Sequence, residues 1–396
     1  MPIDSIGKSA AGTLLCEAAL DKTPVRGLTH SFYSYPARFS PAFAATAIRL
    51  FSKRGDLVLD PYMGGGTTIV EALANGRRVI GNDLNELSAF VTTVKTRPLT
   101  AKQITEVREW VCRALPQMHY WFDRRRLRKH IDQKKTHNLN LPSARPLKKA
   151  LAGALLAVDT IESQEARAFA KCVLLRLGQW ALDNRKSTLE VSHARDRLPQ
   201  LVEEMLAGLE EFSAAVQRHF RELLLPEILT GDASHLDKAV PFAREARKVD
   251  LVVTSPPYPG VHLLYHRWQI KGRRETPAPY WISGTNDGHG ATFYNFADRR
   301  PATVDKYFDV SLRTLEALHR VVKRGAIVVQ LIAFSKPESQ LPLYLRNMGE
   351  AGFRERKLGS LAGERIWRDV PSRKWHATMK GRTNSSREVV LIHEAR

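Results

Sequence analysis

Short apolar runs alternate with a helical pattern over residues 28–99. The run "DLVLD" (Asp56–Asp60) has the length and composition of a buried strand. The stretch "TTIVEALANG" (Thr67–Gly76) follows a helical pattern and stops at a glycine, a common helix C-cap. A second strand is predicted at "RVIGND" (Arg78–Asp83). A strand, a helix and a strand in this order predict a parallel sheet.

The strand pattern disappears between Thr100 and about Pro226. Thr100 and Gln103 predict a capping box that opens a helix. Apolar residues recur at helical spacing over Leu198–Phe220, which predicts an amphipathic helix. Within this zone, "FDRRRLRKHIDQKKTHNLNLPSARP" (Phe122–Pro146) is very basic and ends in turn formers, so we expect an exposed linker or arm there. The zone as a whole is predicted to be a helical insertion.

Strand patterns return after Gly231. They are predicted at "DLVVTS" (Asp250–Ser255), "AIVVQLIA" (Ala326–Ala333) and "REVVLIHE" (Arg387–Glu394). A helical pattern covers Val304–Gly325. The chain therefore reads as an α/β domain that is interrupted by helices and then resumed, without an internal repeat.

The composition is that of a soluble globular protein with a strong excess of positive charge. The chain has 396 residues, of which 43% are hydrophobic and 26% charged. Lys and Arg number 61 against 41 Asp and Glu, a net charge of +20. Such an excess favours a polyanionic partner, most often nucleic acid, although a generally basic protein is the alternative.

The cysteines and histidines predict neither a disulfide framework nor a metal site. Cys16, Cys112 and Cys172 are scattered without CxxC spacing, which fits a reducing cytosol. His30, His262 and His266 lack a ligand spacing with carboxylates, so structural roles are expected for them. No apolar run is long enough to span a bilayer, and we expect a soluble intracellular protein.

The first candidate for chemistry is the glycine cluster in "LDPYMGGGTT" (Leu59–Thr68), between a strand and a helix. Glycines let the backbone approach a ligand, and a helix N-terminus favours negative charge. No lysine is present for phosphates, so a zwitterion fits better, with Asp60 for an ammonium and backbone N–H groups for a carboxylate. Asp83, after the next strand, is placed to bind ribose hydroxyls. S-adenosylmethionine meets these demands; a tight turn without a ligand is the alternative.

The second candidate is "TSPPY" (Thr254–Tyr258), where two prolines end a buried strand abruptly. The Ser255 hydroxyl and the Pro256 carbonyl could accept hydrogen bonds from an exocyclic amine, and Tyr258 could stack on a base ring. The alternative is a strand terminator followed by a turn, with Tyr258 packed nearby.

Together with "YPARFSP" (Tyr35–Pro41), these two motifs resemble the amino-methyltransferase family of DNA enzymes. The serine in first place resembles the cytosine-N4 branch, since the adenine-N6 branch more often carries Asp or Asn there. The resemblance implies a Rossmann-like α/β methyltransferase fold with a seven-stranded, mostly parallel sheet. It also implies S-adenosylmethionine as methyl donor and a base flipped out of double-stranded DNA. "RVVKRG" (Arg320–Gly325) resembles the helix end and turn before the fifth strand.

The resemblance also assigns roles to individual residues. The catalytic loop would be Thr254, Ser255, Pro256, Pro257 and Tyr258. The cofactor would be bound by Tyr35, Pro36, Arg38, Phe39, Asp60, Pro61, Tyr62, Gly64, Gly66, Thr67, Thr68, Asp83, Asp232 and Ala233. Asp232, in "TGDAS" (Thr230–Ser234), would lie near the adenine, and "YPARFSP" would close over the cofactor.

Two basic segments are candidates for contact with DNA, through phosphates or base edges. They are the arm within Phe122–Pro146 and the aromatic, basic loop His262–Phe296 that follows the catalytic loop. The residues expected to bind DNA are Arg124, Arg125, Arg126, Arg128, Lys129, Tyr265, Arg267, Trp268, Lys271, Arg273 and Arg274. The alternatives are a solvated helix face for the arm and a peripheral subdomain with its own aromatic core for the loop.

The sequence thus predicts a site-specific DNA methyltransferase acting on cytosine N4. We expect three parts: residues 1–99 with the cofactor loop, the helical insertion 100–227 as a DNA-contacting region, and residues 228–396 with the catalytic loop and a recognition loop at 259–300. A bacterial cytoplasmic, nucleoid-associated location would accompany this function. Whether a cognate restriction endonuclease is a partner stays open. Adenine N6, a base in RNA and a non-catalytic nucleic-acid-binding protein with a vestigial fold remain open, as does the oligomeric state.

Overall fold

The computed structural model of the chain describes residues 8–35, 40–119, 131–222, 224–243, 248–259, 267–272, 274–288, 296, 304–357, 365–369 and 387–396. The α-helices in these ranges are α1 (Lys8–Leu20), α2 (Pro41–Phe51), α3 (Thr67–Ala74), α4 (Glu86–Thr96), α5 (Ala101–Gln117), α6 (Arg145–Val158), α7 (Gln164–Leu182), α8 (Val191–Gln217), α9 (Val240–Ala243), α10 (Ala278–Ser283), α11 (Val304–Val321) and α12 (Pro337–Glu350). The strands are β1 (Leu57–Asp60), β2 (Arg78–Asp83), β3 (Glu227–Thr230), β4 (Val249–Thr254), β5 (Trp268–Ile270), β6 (Arg274–Thr276), β7 (Val322–Ala333), β8 (Phe353–Glu355), β9 (Trp367–Asp369) and β10 (Arg387–Ala395).

The central sheet has eight strands in the order β3-β2-β1-β4-β7-β10-β8, with β9 also paired to β10. The neighbours from β3 to β7 are parallel, and β10 runs antiparallel to β7, β8 and β9. The strand order reverses at β1, as in doubly wound Rossmann-like folds, so the predicted α/β class and its mostly parallel sheet are confirmed. The additional strand is the short β9, which pairs with the start of β10.

The first β-α-β unit forms where the sequence predicts it. All residues of β1 are buried, as expected for a strand covered by helices on both faces. Helix α3 begins directly after Gly66, and Gly76 adopts the left-handed conformation (φ 79°) just beyond its C-terminus. Thr100 and Gln103 form the predicted capping box of α5. Local pattern is therefore sufficient to place these elements.

The boundary between α11 and β7 differs from the prediction of a helix up to Gly325. Helix α11 ends at Val321, and β7 begins at Val322, which pairs with Val249 of β4. The next pair is Leu251 with Ile327, so the exposed residues 323–325 form an irregularity inside the strand. Val322 is 1% exposed, and burial of this apolar side chain against β4 explains the early start of the strand.

Helices α5 to α8 form a core that is continuous with α4 and with the segment 267–283. The described part of residues 100–226 contains no strand, in agreement with the predicted helical character. The expected exposed arm is wrong for its second half: Leu139 and Ala144 are fully buried, and α6 begins at Arg145. Asn138 Nδ2 also donates to Glu275 O (2.7 Å), so this stretch packs against β6. Apolar residues between the charges explain the difference.

Within the ranges described, no helix is both long and apolar enough to cross a membrane.

Candidate functional site

The loops after β1 and β4 meet at the carboxyl edge of the sheet. The two strands are parallel neighbours, and Thr254 Oγ1 donates to Asp60 Oδ1 at 2.6 Å. A second bond joins the same loops, from Thr68 Oγ1 to Val253 O at 3.0 Å. The glycine loop and the proline corner, far apart in sequence, therefore form one structural unit at the edge where open α/β sheets bind ligands.

Protein contacts alone require glycine in the loop after β1. Gly64 and Gly66 adopt left-handed conformations, with φ of 47° and 74°. A Cβ on Gly65 would lie 2.8 Å from the Cβ of Tyr35, and one on Gly66 would lie 2.6 Å from the Oγ1 of Thr92. The glycines are thus explained by packing, and the case for a ligand rests on the carboxylates beside them.

Tyr35, which precedes the glycine loop in sequence, and Lys95, which follows it, both contact the loop. Tyr35 is buried, and its hydroxyl forms a hydrogen bond with the Ser88 hydroxyl. Lys95, 2% exposed, donates from Nζ to Gly65 O at 2.6 Å. Pro36, Arg38 and Phe39, predicted to contact the cofactor, lie outside the described residues. Neither Lys95 nor Ser88 was singled out from the sequence, because both lie on an unremarked helix, α4.

Two carboxylates border the glycine loop. Asp60 is 1% exposed and accepts from Tyr62 N (3.1 Å) as well as from Thr254. Asp83 accepts from Gly64 N and Asn85 N, both at 2.9 Å. Burial raises the pKa of each to about 6, and these hydrogen bonds act in the opposite direction. Both carboxyl groups are therefore mainly ionised at neutral pH, and a positively charged ligand beside them would lower each pKa.

The segment after β3 lies beside the end of β2. Gly231 N donates to Asp83 O (3.0 Å), and Asn82 Nδ2 donates to Gly231 O (3.0 Å) and to Pro61 O (3.2 Å). Asp232 caps a 3-10 helix over Ala233–Lys238, accepting from Ser234 N at 2.9 Å. Asn82, which the sequence reasoning missed, therefore ties the loops after β1 and β3 to the end of β2, within the predicted cofactor region.

The proline corner is held by side chains from the C-terminal part of the chain. Tyr307 Oη donates to Pro257 O at 2.6 Å. The hydroxyls of Ser255 and Tyr258 are 2.8 Å apart, and Tyr258 Oη donates to Glu388 Oε1 at 2.7 Å. Tyr258 is only 6% exposed, so little of its ring surface is accessible and its stacking on a base stays a prediction. Tyr307 and Glu388 carry no motif that could have identified them.

Similarity to known proteins is concentrated around β1, the glycine loop and β2. The family model of N6/N4 methyltransferases, described as DNA methylase, matches residues 19–90, which contain β1, the glycine loop and β2. Residues 19–90 of this chain are thus similar to the DNA methylase family. That match agrees with the resemblance seen in the sequence motifs.

Individual relatives of the DNA methylase family match short stretches of the chain. The type II methyltransferase M.MvaI of Kocuria varians is 36% identical over 86 residues, 21% of this chain and 19% of the relative. The orphan methyltransferase M.BamHII of Bacillus amyloliquefaciens is 39% identical over 54 residues, 14% of this chain and 20% of the relative. The aligned part thus spans a fifth or less of these curated relatives. Among solved structures, TrmN from Thermus thermophilus covers 90% of this chain and 49% of its own, at 14% identity and a TM-score of 0.33.

The aromatic residues of the loop predicted to contact DNA are buried in the protein core where the structure describes them. Trp268 is 1% exposed and donates from Nε1 to Tyr33 Oη at 3.2 Å. Tyr280 and Trp281 are buried in the same core as helices α5 to α8. The prediction that Trp268 contacts DNA is therefore wrong for this structure, because its ring is enclosed by protein. These aromatics therefore belong to the core of helices α5 to α8, and not to a separate core of the loop as the alternative expected.

The basic residues predicted to bind DNA separate into three groups. Arg267 forms an ion pair with Asp287, and the two side chains are 14% and 17% exposed. Lys271 and Arg274 are exposed on the β5–β6 hairpin. The remaining predicted residues lie outside the described part of the chain: Arg124, Arg125, Arg126, Arg128, Lys129, Tyr265 and Arg273. Lys271 and Arg274 are thus the predicted cations that the structure leaves accessible among those it describes.

The segment after the hairpin contacts the start of α4, close to the end of β2. Asn85, which follows β2, donates from Nδ2 to Tyr280 Oη at 2.7 Å, and Asn286 N donates to Glu86 Oε2 at 2.8 Å. These contacts place α10 against the start of α4, next to Asp83. Sequence reasoning missed them because the partners are 195 and 200 positions apart.

In the ranges that the structure describes, no group of three or more His, Cys, Asp and Glu side chains is arranged to hold a metal ion. His30 Nε2 lies 2.8 Å from Glu71 Oε1 in a buried pair, which is a structural contact between the N-terminal segment and α3.

Proposed function

We propose that the chain is an S-adenosylmethionine-dependent DNA methyltransferase that methylates the exocyclic N4 amine of cytosine in a flipped-out base. The observation that supports this most directly is the 2.6 Å bond between Thr254 and Asp60, which joins the glycine loop to the serine-proline corner. A methyl donor and an amine acceptor must be adjacent for transfer. The glycine loop is the candidate site for the donor, and the serine-proline corner is the candidate site for the acceptor.

The residues present on the donor side fit S-adenosylmethionine. Asp60, buried and with a raised pKa, would be stabilised by a neighbouring ammonium. Asp83 would accept from ribose hydroxyls at the end of β2, and Asp232 with Ala233 would border the adenine. The N-terminus of α3 favours the carboxylate. When bound, this cofactor supplies an electrophilic methyl group.

On the acceptor side, the work of the chain is orientation. The Ser255 hydroxyl and the Pro256 carbonyl would accept the two N–H bonds of the amine and so direct the nitrogen lone pair towards the donor. Tyr307 holds the corner in place through Pro257 O. The consecutive prolines restrict the backbone of the corner, which reduces the cost of ordering it on binding.

We propose that DNA is bound by the exposed hairpin cations Lys271 and Arg274 together with the basic arm at residues 124–129. The net charge of +20 supports this proposal. The division into residues 1–99, 100–227 and 228–396 belongs to the same proposal, with the helices of the middle part supporting the loop at 259–300. A DNA substrate implies a location with the nucleoid in a bacterial cytoplasm. A restriction endonuclease partner is a further, separate expectation.

Mass spectrometry of nucleosides from DNA incubated with the protein and S-adenosylmethionine tests the proposal. N4-methylcytosine is the expected product, and Ser255→Ala should reduce it. N6-methyladenine would support the adenine alternative, which the N6/N4 family also accommodates. Methylated bases in RNA only, or salt-sensitive DNA binding without any methyl transfer, would contradict the proposal in favour of the other two alternatives.

A further inference from the structure

We propose that a buried Glu388–Arg368 ion pair on the C-terminal strands, acting through Tyr258, fixes the Ser255 hydroxyl as a hydrogen-bond acceptor for the substrate amine. Glu388 and Arg368 are positioning residues in this scheme, because they reach the substrate only through two hydroxyl groups. The inference rests on the proposed function and deepens it, since it states which kind of substrate atom Ser255 is prepared to meet.

The four side chains form a continuous chain of contacts. Ser255 Oγ is 2.8 Å from Tyr258 Oη, and Tyr258 Oη is 2.7 Å from Glu388 Oε1. Glu388 Oε2 accepts from Arg368 Nε at 2.8 Å. The side chains of Arg368 and Glu388 are 4% and 3% exposed. The network thus runs from the catalytic corner through β10 to β9, shielded from water at its inner end.

The direction of each hydrogen bond follows from proton counting. Arg368 has only donors, so it keeps Glu388 as an acceptor-only carboxylate. Tyr258 has a single hydroxyl proton, and Glu388 Oε1 takes it. The contact between Tyr258 and Ser255 can then form only if Ser255 donates its own proton to Tyr258 Oη. The remaining lone pairs of Ser255 Oγ are left to accept hydrogen bonds.

This polarity has a consequence for the substrate. A hydroxyl whose proton is already committed accepts from an amine but cannot donate to a carbonyl or an unprotonated ring nitrogen. The corner is therefore matched to an exocyclic NH2 group, present on cytosine and adenine, and mismatched to the carbonyl oxygen that replaces it on uracil. A site built to meet a polar group discriminates strongly because a mismatch leaves buried groups unpaired.

Tyr258→Phe is the variant that tests the network with the least risk to folding. It keeps the ring and leaves the Glu388–Arg368 pair intact, but it removes the hydroxyl that links the pair to Ser255. We expect kcat to fall roughly tenfold, the loss of about one oriented hydrogen bond, with an unchanged Kd for S-adenosylmethionine. Tyr344→Phe is the matched control, since it also removes a buried hydroxyl, one that donates to Gln330, and should leave kcat unchanged.

A double-mutant cycle with Ser255→Ala separates positioning from a general structural effect. If Tyr258 acts through Ser255, Tyr258→Phe should lower kcat no further once Ser255 is alanine. Glu388→Gln should behave in the same way, because the amide can donate to Tyr258 and reverse the bond to Ser255. Thermal unfolding of Glu388→Gln is measured alongside, since it leaves the buried guanidinium without its carboxylate.

The outcomes distinguish this inference from the function on which it rests. Equal losses of kcat for Tyr258→Phe in the wild-type and Ser255→Ala backgrounds, or wild-type kcat in Tyr258→Phe, would overturn the positioning role and leave the methyltransferase function intact. A wild-type protein that transfers no methyl group to DNA would contradict the proposed function itself, and the inference with it.

Discussion

The glycine loop and the proline corner follow neighbouring strands but are held in place by different parts of the chain. The glycine loop is fixed by Asp83 and Lys95, which are 19 and 30 positions from their partners. The corner is fixed by Tyr307 and Glu388, which are 50 and 130 positions away. The glycine loop is thus held by residues near it in sequence, whereas the corner depends on the C-terminal part of the chain.

The two regions also differ in what holds them. In the glycine loop, the side chains of Asp83 and Lys95 bond to main-chain atoms of Gly64 and Gly65. The requirement on this loop is therefore a particular main-chain conformation. In the corner a hydroxyl, a carboxylate and a guanidinium form the contacts, so chemical identity is the constraint. This contrast teaches that substitutions in the first region should act on donor binding and stability, and those in the second on turnover.

The largest effect should come from exchanging one polar group on each side. Asp60→Asn keeps the size of the side chain but removes the charge offered to the ammonium, and we expect a roughly 100-fold weaker Kd for S-adenosylmethionine. Ser255→Ala should instead lower kcat roughly 100-fold and leave this Kd near wild type. Calorimetry and single-turnover methylation measure the two quantities. Equal losses of affinity for S-adenosylmethionine in both variants would contradict the assignment of donor binding to Asp60 and of turnover to Ser255.

The backbone constraint can be tested by two glycine substitutions. Gly66→Ala must adopt a φ of 74° and place its Cβ 2.6 Å from Thr92 Oγ1. We expect the free energy of unfolding to fall by about 3 kcal/mol, combining strain with overpacking. Gly55→Ala is the control, because Gly55 has a φ of 86° with open space around its Cβ position. It should lose about 1 kcal/mol. Denaturant unfolding that gives equal losses would argue against tight packing of the loop.

The pH dependence of donor binding follows from the raised pKa of Asp60, about 6. An ammonium binds the ionised carboxylate, so the affinity for S-adenosylmethionine should increase about tenfold between pH 5 and 7. Asp60→Asn should flatten this slope. If the slope persists, the titration belongs to Asp83, whose pKa is also raised to about 6.

The same carboxyl has the opposite influence on the ligand-free fold. Because the pKa of Asp60 rises from its ordinary 3.8 to about 6 on folding, the native state holds the proton more tightly between these values. Its contribution to the free energy of unfolding therefore falls as pH rises through that interval. Unfolding of wild type and Asp60→Asn across this range measures the difference.

The smallest predicted effect concerns the bond that ties the two regions together. Thr68→Val removes the hydrogen bond from Oγ1 to Val253 O without changing the shape of the side chain greatly, and should lower the free energy of unfolding by about 1 kcal/mol. Thr96→Val removes a comparable bond inside α4, to Thr92 O. Only Thr68→Val should also weaken donor binding, by a few fold. If both variants change the affinity for S-adenosylmethionine equally, Thr68 does not connect the two regions.

The elements that sequence reasoning placed well are those determined by neighbouring residues. The bounds of β2 agree with the apolar run Arg78–Asp83, and the helix over Thr67–Ala74 begins and ends at glycine turns. The meeting of Asp60 and Thr254 followed from a general property of parallel sheets, whose carboxyl ends share one edge.

The misplaced features depend on contacts between distant residues. Trp268 reads as an exposed aromatic beside cations, but it packs against the helical core and Tyr33. Val322 continues a helical pattern, yet pairing with Val249 makes it a strand residue. Glu388 lies in an apolar strand without any motif, and only the arrangement of β9 and β10 shows that it meets Arg368 and Tyr258. In each case the tertiary partner decides the role.

Strand β10 has a consequence for biosynthesis, since it is inserted between β7 and β8 and carries Glu388. On a translating ribosome, the strands that bear the glycine loop emerge long before this strand does. A nascent chain can therefore form its N-terminal β-α-β unit early, whereas Tyr258 gains its contact with Glu388 only after β10 has docked. The corner proposed to orient the substrate amine is therefore completed only when the C-terminal strand is in place.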